Sequence, residues 1–296
     1  MLQNPSFKKT RIAPTPSGYL HLGNALSFAL TAAMARRAGA SILLRIDDLD
    51  RQRVQPAFVQ DIFDTLNFLE IPWDEGPRDA AQFEKEYSQV HRMPQYAAAL
   101  MRLEDKNAVF ACNCSRSQVA AEGGEAYLGT CLLKSIPLET PEVNWRVYTS
   151  ADRPLRMKKW PYNSVEARLP ATMQYFVVRK KDGYPSYQLA SVVDDHHYGV
   201  DLVVRGEDLY DSTLAQLYLA TLLQDQPFLN TTFYHHPLLK KEGEMKLSKS
   251  ASDTSIQYWR KEGKTAADVY TMIAGMLGHK EPVSDWEDLG ALLLPG

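Results

Sequence analysis

The sequence predicts an α/β protein built around a parallel β-sheet, and three observations lead to this fold class. A strand, a turn, a helix and a second strand follow one another within residues 8–46, which is the unit that joins neighbouring parallel strands. A strand and an amphipathic helix occur again within residues 199–222. Between these regions, at roughly residues 111–170, the periodicity weakens and cysteines, glycines and prolines appear, which indicates an insertion.

Local signals define the first of these units. Residues 8–13 (KKTRIA) are typical of a short strand and lead into the turn PTPSG. Residues 22–38 are typical of a helix, and Gly39 stands where a helix ends. Residues 41–46 (SILLRI) form an apolar run, so we expect a second, buried strand there.

The second half of the chain repeats this order. We expect a strand at residues 199–205 and an amphipathic helix at residues 208–222. After a loop at residues 240–252, the remaining residues are typical of helices and contain two aromatic anchors, Tyr258 and Trp259. A parallel sheet with helical connections is therefore expected on both sides of the insertion.

Composition and charge exclude several classes of protein. Of the 296 residues, 45% are hydrophobic and 23% are charged, which is the ordinary range of globular proteins. No run of about 18 apolar residues is present, so we expect no membrane span. The N-terminal stretch MLQNPSFKKT lacks the apolar core of a secretory signal, so we expect a cytoplasmic protein.

The formal net charge of −3 argues against a protein that coats nucleic acid without specificity. It is compatible with tRNA binding, because phosphate contacts need only a local basic surface. Four basic clusters are candidates, and each is alternatively a solvated charged face: Lys158–Lys159, Arg179–Lys180–Lys181, Lys240–Lys241 and Arg260–Lys261.

The turn between the first strand and the first helix suits a nucleotide. It reads RIAPTPSGYLHLGN from Arg11 to Asn24, with two prolines that stiffen it. Gly18 and Gly23 would let the backbone approach a ligand closely, and the free N–H groups at the start of the helix attract phosphate. His21 can donate a hydrogen bond to a phosphate; alternatively, it is a surface or satisfied core histidine.

The three cysteines of the chain fall within one short stretch, as Cys112-x-Cys114-x12-Tyr127-x3-Cys131. An odd number of cysteines in a cytosolic chain does not indicate disulfides. Three thiolates and one further donor form a closed tetrahedral site that suits zinc. Because tyrosine is a rare ligand, the spacing alone leaves open the alternative of three buried structural thiols.

Several motifs together resemble those of class I aminoacyl-tRNA synthetases, in the form used by glutamyl-tRNA synthetases. His21-Leu22-Gly23-Asn24 resembles the HIGH signature, and Lys246-Leu-Ser-Lys-Ser250 resembles the KMSKS loop, although short Lys/Ser strings are common in exposed loops. Three further stretches resemble blocks of the same family: Leu44–Asp50 (LRIDDLD), Trp73–Pro77 (WDEGP) and residues 182–212, which contain YQLASVVDD and VVRGEDL.

This resemblance implies a class I Rossmann-like parallel sheet with a zinc-containing insertion and a short helical C-terminal region. We expect residues 1–110 to form the first half of the catalytic domain and residues 111–170 to form the insertion. We expect residues 171–235 to complete the catalytic domain, and residues 236–296 to carry the KMSKS-like loop and the helical region.

The resemblance also implies a glutamate site of six residues: Arg11, Ala13, Thr15, Asp47, Tyr187 and Arg205. Arg11 and Arg205 would supply cations and Tyr187 a hydroxyl group. Asp47 stands where the family has a glutamate that contacts the substrate ammonium, and its side chain is shorter by about 1.5 Å. Alternatively, Arg205 is a salt-bridge partner of Asp194 or Asp195.

ATP binding is implied for five residues: His21, Gly23, Asn24, Lys246 and Lys249. Mg²⁺ would accompany the ATP phosphates. Adenylate formation is a displacement at the α-phosphate by a carboxylate that is already ionised, so no general base is required. Catalysis then depends on positioning and on the stabilisation of charge.

Within this family the chain resembles the glutamyl-Q tRNA(Asp) synthetases, which have the pattern C-x-C…Y-x3-C with tyrosine as the fourth ligand. The resemblance implies one structural zinc ion per chain, held by Cys112, Cys114, Tyr127 and Cys131. These enzymes attach glutamate to queuosine in the anticodon of tRNA(Asp). The implied partners are ATP, L-glutamate and tRNA(Asp) with queuosine, and we expect a monomer.

Two alternatives remain at this point. The first is a glutamyl-tRNA synthetase fragment that charges a tRNA 3′ end. Since the chain ends at Gly296, shortly after Lys249, we expect that it lacks an anticodon-binding domain. The second is a non-catalytic paralogue that binds nucleotide or tRNA. The presence of His21 and Lys249 argues against the second alternative, and the aspartate at position 47 argues mildly for it.

Overall fold

The computed structural model of the protein describes residues 7–124, 126–161, 164–239 and 255–295. In these residues the strands are β1 (Lys9–Ile12), β2 (Ser41–Leu44), β3 (Val109–Cys112), β4 (Asn144–Val147), β5 (Leu155–Lys159), β6 (Val165–Ala167), β7 (Val177–Arg179), β8 (Leu202–Gly206) and β9 (Thr232–His236). The α-helices are α1 (Leu22–Ala38), α2 (Pro56–Phe68), α3 (Ala80–Gln82), α4 (Met93–Asp105), α5 (Arg116–Gly123), α6 (Tyr187–Tyr198), α7 (Tyr210–Leu223), α8 (Gln226–Leu229), α9 (Ile256–Lys261), α10 (Ala266–Met276) and α11 (Trp286–Leu293).

The chain forms two compact units, each assembled from separate stretches of sequence. Unit 1 contains Met1–His91, Leu202–Glu207 and Tyr234–Gly296, and unit 2 contains Arg92–Asp201 and Asp208–Phe233. The four segments expected from the sequence stay a prediction. Within the described residues, no helix has the length and hydropathy that crossing a membrane requires.

Unit 1 contains the predicted parallel sheet. Strand β1 lies between β2 and β8 and is parallel to both, with Thr10 opposite Ile42 on one side and Leu202 on the other. The Thr10 hydroxyl also donates a hydrogen bond to the carbonyl of Leu202, at 2.9 Å. The expected α/β fold class is therefore confirmed. The carboxyl ends of the three strands meet at one edge of the sheet, which is where ligands bind in such sheets.

Helix α1 has the bounds that the sequence predicts. It ends at Gly39, whose φ of 66° is left-handed, and the Gly39 N–H donates to the carbonyl groups of the last turn. Most of its side chains are buried, because it packs on the sheet and against α11. An added Cβ at Gly290 of α11 would lie 2.2 Å from the Ala33 Cβ, so α11 can approach α1 closely only with glycine there.

Three predicted boundaries are wrong, for local reasons. Strand β2 ends at Leu44, two residues before the predicted end. The N–H groups of Arg45 and Asp47 still donate to the carbonyls of Ile12 and Pro14, but Pro14 has no N–H group with which to continue the ladder. The strand expected at 199–205 begins at Leu202, since Gly199 forms the left-handed end of helix α6. The helix expected at 208–222 begins at Tyr210, after a 3-10 turn over Glu207–Leu209.

The C-terminal region is helical, as predicted, and is anchored to the end of helix α2. The Tyr270 hydroxyl donates to the Leu69 carbonyl at 2.6 Å, and the Trp286 indole N–H donates to the Glu70 carbonyl at 3.0 Å. Of the two aromatic anchors expected from the sequence, Trp259 is buried but Tyr258 is 40% exposed, so the prediction is wrong for Tyr258.

Unit 2 contains a three-stranded antiparallel sheet, in the order β3-β4-β7. Phe110 lies opposite Arg146 and Cys112 lies opposite Asn144. Unit 2 also contains the antiparallel pair β5–β6, beside the first residues of β9. Strand β4 lies within residues 111–170, where the sequence predicts an insertion, whereas β3 begins just before this region and β7 follows it. Strand β3 ends at the first cysteine of the predicted zinc site.

Candidate active site and zinc centre

Three predicted glutamate-site residues of unit 1 stand at the carboxyl ends of neighbouring parallel strands. Arg11 lies near the end of β1, Arg205 near the end of β8, and Asp47 shortly after β2. All three are buried, and the Arg11 guanidinium donates to the Val204 carbonyl at 3.3 Å. Residues far apart in sequence are thus brought to one edge of the sheet by its topology.

The carboxylate of Asp47 is held by a buried ion pair. The Arg45 Nε donates to one oxygen at 2.7 Å and Nη2 donates to the other at 3.1 Å. The Asp47 N–H donates to the Pro14 carbonyl at 2.9 Å, so its backbone is fixed beside the turn that follows β1. This two-point pairing leaves little rotational freedom, and the orientation of the shortened side chain is set by its neighbour.

Gln89 is a site residue that sequence reasoning missed. Its side-chain nitrogen donates to Asp47 at 3.4 Å, and its side-chain oxygen accepts the Leu49 N–H at 3.2 Å. The neighbouring Asp48 is fully buried and accepts the Gln89 N–H at 2.8 Å and the Ser88 hydroxyl at 2.6 Å. These bonds tie the Leu44–Asp50 motif to a turn that carries no family signature.

His21 stands at the start of α1 as its N-cap residue. Its Nδ1 accepts the Gly23 N–H at 3.1 Å, while the Asn24 side chain accepts the His21 N–H at 3.0 Å. Because Nδ1 is an acceptor, the proton of the neutral ring lies on Nε2. His21 is exposed and lies beside the N-terminus of helix α1.

The other residues of this turn have distinct surroundings. An added Cβ at Gly23 would lie 3.0 Å from the His21 ring, so glycine lets the ring cap the helix. Asn24 uses its side-chain oxygen in the same cap. Ala13 is half-buried and Thr15 is exposed. The predicted ATP-binding roles of Gly23 and Asn24 therefore coincide with a structural role in holding His21.

Lys246 and Lys249 lie outside the described residues. The first residue described after them, Ser255, forms an antiparallel bridge with His21, and the Ile256 N–H donates to the Leu20 carbonyl at 2.7 Å. The chain that follows the KMSKS-like motif is therefore attached directly to the turn that contains His21.

Asp61 reinforces this attachment, and no motif pointed to it. Its buried carboxylate accepts the Leu20 N–H at 3.0 Å and forms an ion pair with Arg260. Burial raises the pKa of Asp61, although the bonds from Leu20 and Arg260 act in the opposite direction. Arg260 therefore has a structural role in this attachment.

Tyr187 lies in unit 2, at the start of helix α6, and is 42% exposed. Farther along this helix, Asp194 accepts two hydrogen bonds from Arg92, at 2.8 and 3.0 Å, and one from Tyr96 at 2.7 Å. Arg92 thus forms an ion pair with Asp194, while the alternative pairing of Arg205 with Asp194 or Asp195 stays a prediction. The role of Tyr187 stays a prediction.

The three cysteines of unit 2 converge as the sequence predicts. Their Sγ atoms lie within 4.8 Å of one another, all three side chains are buried, and none forms a disulfide. The Tyr127 hydroxyl accepts the Cys131 N–H at 2.7 Å, so it belongs to the same cluster. Strand β3 carries Cys112 at its end, and helix α5 fills the interval between Cys114 and Tyr127.

The pKa values of the thiols and of the Tyr127 phenol concern the protons that a bound metal would displace. Burial and the neighbouring thiols raise the pKa of Cys114 to about 12, and burial raises the pKa of Tyr127. Burial also acts to raise the pKa of Cys131, but bonds with Tyr127 and Cys114 outweigh it and lower the value to about 7. Three close, buried thiols and a phenol fit zinc, which binds thiolates and displaces their protons.

Comparison with known proteins agrees with the resemblance to class I tRNA synthetases. Residues 8–280 match the family described as tRNA synthetases class I (E and Q), catalytic domain. A glutamyl-Q tRNA(Asp) synthetase of Nitratidesulfovibrio vulgaris is 34% identical over 95% of this chain and 91% of its own length. Another, from Parasynechococcus marenigrum, is 36% identical over 92% of this chain and 84% of its own length.

A solved structure shows the same fold. The glutamate tRNA ligase of Elizabethkingia meningosepticum, in complex with its amino acid, superposes with a TM-score of 0.72 at 24% identity. The superposition covers 96% of this chain and 64% of that longer one. With the family match over most of its length, the chain belongs to the class I tRNA synthetases for glutamate and glutamine, among the relatives named glutamyl-Q tRNA(Asp) synthetases.

Proposed function

We propose that the protein activates L-glutamate with ATP as glutamyl-adenylate and transfers the glutamate to queuosine in the anticodon of tRNA(Asp). The observation that carries this proposal is the similarity to glutamyl-Q tRNA(Asp) synthetases along nearly the whole of both chains. The ends of β1, β2 and β8 supply a site whose charges match those of an amino acid with an anionic side chain.

Glutamate recognition uses the buried charges of unit 1. Arg11 and Arg205 provide guanidinium groups for carboxylates, and a guanidinium binds a carboxylate through two parallel hydrogen bonds. Asp47 receives the substrate ammonium. Because Arg45 and Gln89 fix the Asp47 carboxylate, the ammonium meets an oriented acceptor, and a bridging water can span the missing methylene.

ATP binds beside helix α1, with Mg²⁺ on its phosphates. The Nε2–H of His21 donates to the α-phosphate, and the helix N-terminus adds its positive dipole. Lys249 and Lys246 supply further positive charge, as their resemblance to the KMSKS lysines implies. The substrate carboxylate then attacks the α-phosphorus, a new P–O bond forms, and pyrophosphate leaves with the electrons of the broken P–O bond.

Cys112, Cys114, Tyr127 and Cys131 hold one zinc ion per chain. When bound, the zinc supplies structure and no chemistry, because four protein donors leave no coordination position open. The ion would fix the chain around Cys114, Tyr127 and Cys131 to the end of strand β3 in unit 2. Metal analysis of protein purified without chelator is expected to find one zinc ion per chain.

The proposed acceptor rests on the names of the relatives and on the chemistry of queuosine. Queuosine carries a cyclopentene diol that resembles the vicinal diol of a terminal ribose. An anticodon loop presents its bases splayed, the form of RNA that proteins read most readily. The competing acceptor is the 3′ end of a tRNA. The similarity to relatives named glutamate–tRNA ligases supports this alternative. We propose that the protein works as a monomer in the cytoplasm.

ATP–pyrophosphate exchange tests the activation step. We expect exchange that depends on glutamate and proceeds without tRNA. Exchange that appears only after tRNA is added would favour the glutamyl-tRNA synthetase alternative. Complete absence of exchange, with and without tRNA, would instead indicate a non-catalytic paralogue.

A further inference from the structure

Arg146, in the middle of strand β4, is a buried cation that the proposed reaction does not use. Arg146 is only 9% exposed. One guanidinium nitrogen donates to the Tyr175 carbonyl at 2.9 Å, while the buried Nε has no hydrogen-bond partner among the described residues. No carboxylate in the described part of the chain forms an ion pair with it. A buried charge is costly without compensation, so its presence requires an explanation.

The guanidinium lies against a proposed zinc ligand. Its central carbon is 3.9 Å from the centroid of the Tyr127 ring, within the range of a cation–π contact. Phe110 and Tyr175 also contact this ring, with centroids 6.4 and 6.2 Å away. The ring is thus enclosed by two aromatic side chains and one cation.

The β-sheet register places the same arginine on the face of the sheet that carries Cys112. Arg146 lies opposite Phe110, and Phe110 is two residues before Cys112 on strand β3. Since side chains two apart on a strand share a face, Phe110 and Cys112 point to one side of the sheet. Phe110 packs in the same buried cluster as the three cysteines and Tyr127.

The zinc-loaded centre would carry a net negative charge that compensates Arg146. Three thiolates outweigh the two positive charges of a zinc ion, so the occupied centre is anionic whether Tyr127 binds as phenol or as phenolate. Without metal, the three sulfur atoms are no longer held together as thiolates by zinc, so the negative charge that faces the cation is smaller. The arginine is therefore compensated electrostatically in the zinc-loaded state and much less in the metal-free state.

We propose that Arg146 is the counter-charge of the zinc centre, a positioning residue that stabilises the anionic site and holds the Tyr127 ring against the metal. This proposal rests on the proposed zinc site, and it predicts opposite effects on the two states of the protein. Removing the charge should weaken zinc binding, while the metal-free form should lose nothing or gain stability, because an uncompensated buried charge is removed.

The test compares Arg146→Met, which removes the charge, with Arg146→Lys, which keeps it, in the full chain. Zinc affinity is measured by competition with a chromophoric chelator, and thermal midpoints are measured for both states. We expect Arg146→Met to weaken zinc binding roughly 10- to 100-fold, the range seen for residues that support metal ligands. Its metal-free midpoint should be unchanged or higher, and Arg146→Lys should stay nearer to the wild type in affinity.

Arg179→Met is the matched control. Arg179 also stacks on an aromatic ring of this sheet, that of Trp145 at 5.3 Å, but it is only half-buried and the ring is not a ligand. We expect its zinc affinity to equal that of the wild type. If the metal-free Arg146→Met protein does not fold, the rate of zinc loss from loaded protein replaces the equilibrium measurement, with the same expected order.

Three results would overturn the proposal. Zinc affinity that does not depend on residue 146 would show a purely structural arginine. So would equal destabilisation of the metal-free and loaded forms. An Arg146→Lys protein as weak as Arg146→Met would show that stacking geometry, and not charge, is what matters. If the wild-type protein bound no zinc at all, the proposed zinc site itself would fail, which is a distinguishable outcome.

Discussion

The proposed zinc centre of unit 2 and the proposed active site of unit 1 are built in opposite ways. The zinc centre draws its four donors from 20 consecutive residues, beginning at the end of β3. The active site draws Arg11, Asp47 and Arg205 from three strands that meet only because the sheet is parallel. Spacing in the sequence points directly to the local cysteine cluster, whereas Arg11, Asp47 and Arg205 are predicted to share a site only through the family resemblance.

The supporting residues show the same difference. In unit 1, Asp47 depends on Arg45 and Gln89, and the turn before His21 depends on Asp61. In unit 2, Arg146 approaches Tyr127 across a sheet register. Substitutions at the zinc ligands should therefore mainly destabilise unit 2. Substitutions at a supporting residue of unit 1 should change the kinetics of glutamate activation.

Cys131→Ser is expected to have the largest effect, and it tests whether the zinc centre is separable from the active site. Losing one thiolate should lower zinc content from one ion per chain to well below one, because zinc prefers thiolate to hydroxyl ligands. The thermal midpoint of unit 2 should fall clearly, whereas the rate of ATP–pyrophosphate exchange should change little. Metal analysis, calorimetry and ATP–pyrophosphate exchange on one preparation decide this. An exchange rate lost in proportion to zinc would show that the two sites are not separable.

Arg205→Ala should abolish most glutamate affinity. It would leave a substrate carboxylate without its buried partner, a loss on the order of 2–5 kcal/mol in binding. The KM for glutamate in the exchange reaction measures it. Arg36→Ala is the control, since Arg36 is largely exposed and forms only a loose ion pair with Glu287, at 3.6 Å; such pairs contribute little. Equal KM values for both variants would remove Arg205 from the site.

His21→Asn separates capping from catalysis. Asparagine is a good N-cap residue, so the thermal midpoint should hardly change. The donor proposed for the α-phosphate is lost, and removal of one such donor slows catalysis about 100- to 1000-fold. The maximal exchange rate and the thermal midpoint are the two readouts. A variant that exchanges normally would limit His21 to its structural role in α1.

Gln89→Leu should have the smallest effect, and it tests whether a supporting residue reaches the substrate. It removes the hydrogen bonds to Asp47 and Leu49, each worth roughly 0.5–1.5 kcal/mol. We expect a modest rise in the KM for glutamate, in the same direction as for Asp47→Asn but smaller. In the double variant the two effects should not add, because both act through the carboxylate at position 47. Full additivity would show that Gln89 acts elsewhere.

Local signals explain what the sequence predicts well. The bounds of α1 follow from an apolar run and from Gly39, and the cysteine cluster follows from its spacing together with the family resemblance. The prediction of a strand start at Gly199 is wrong, because a helix end and a strand start both carry glycine beside apolar residues. The roles of Gln89, Asp61 and Arg146 could not be predicted, because each depends on a partner brought near by the fold.

The most direct test of the central claim is the transfer of labelled glutamate to two forms of the same tRNA(Asp). One form carries queuosine in its anticodon and the other carries guanosine at that position. We expect labelling of the queuosine form and none of the guanosine form. Equal labelling of both forms would contradict the proposed acceptor. So would labelling of tRNA(Glu) that periodate oxidation of its 3′ end abolishes.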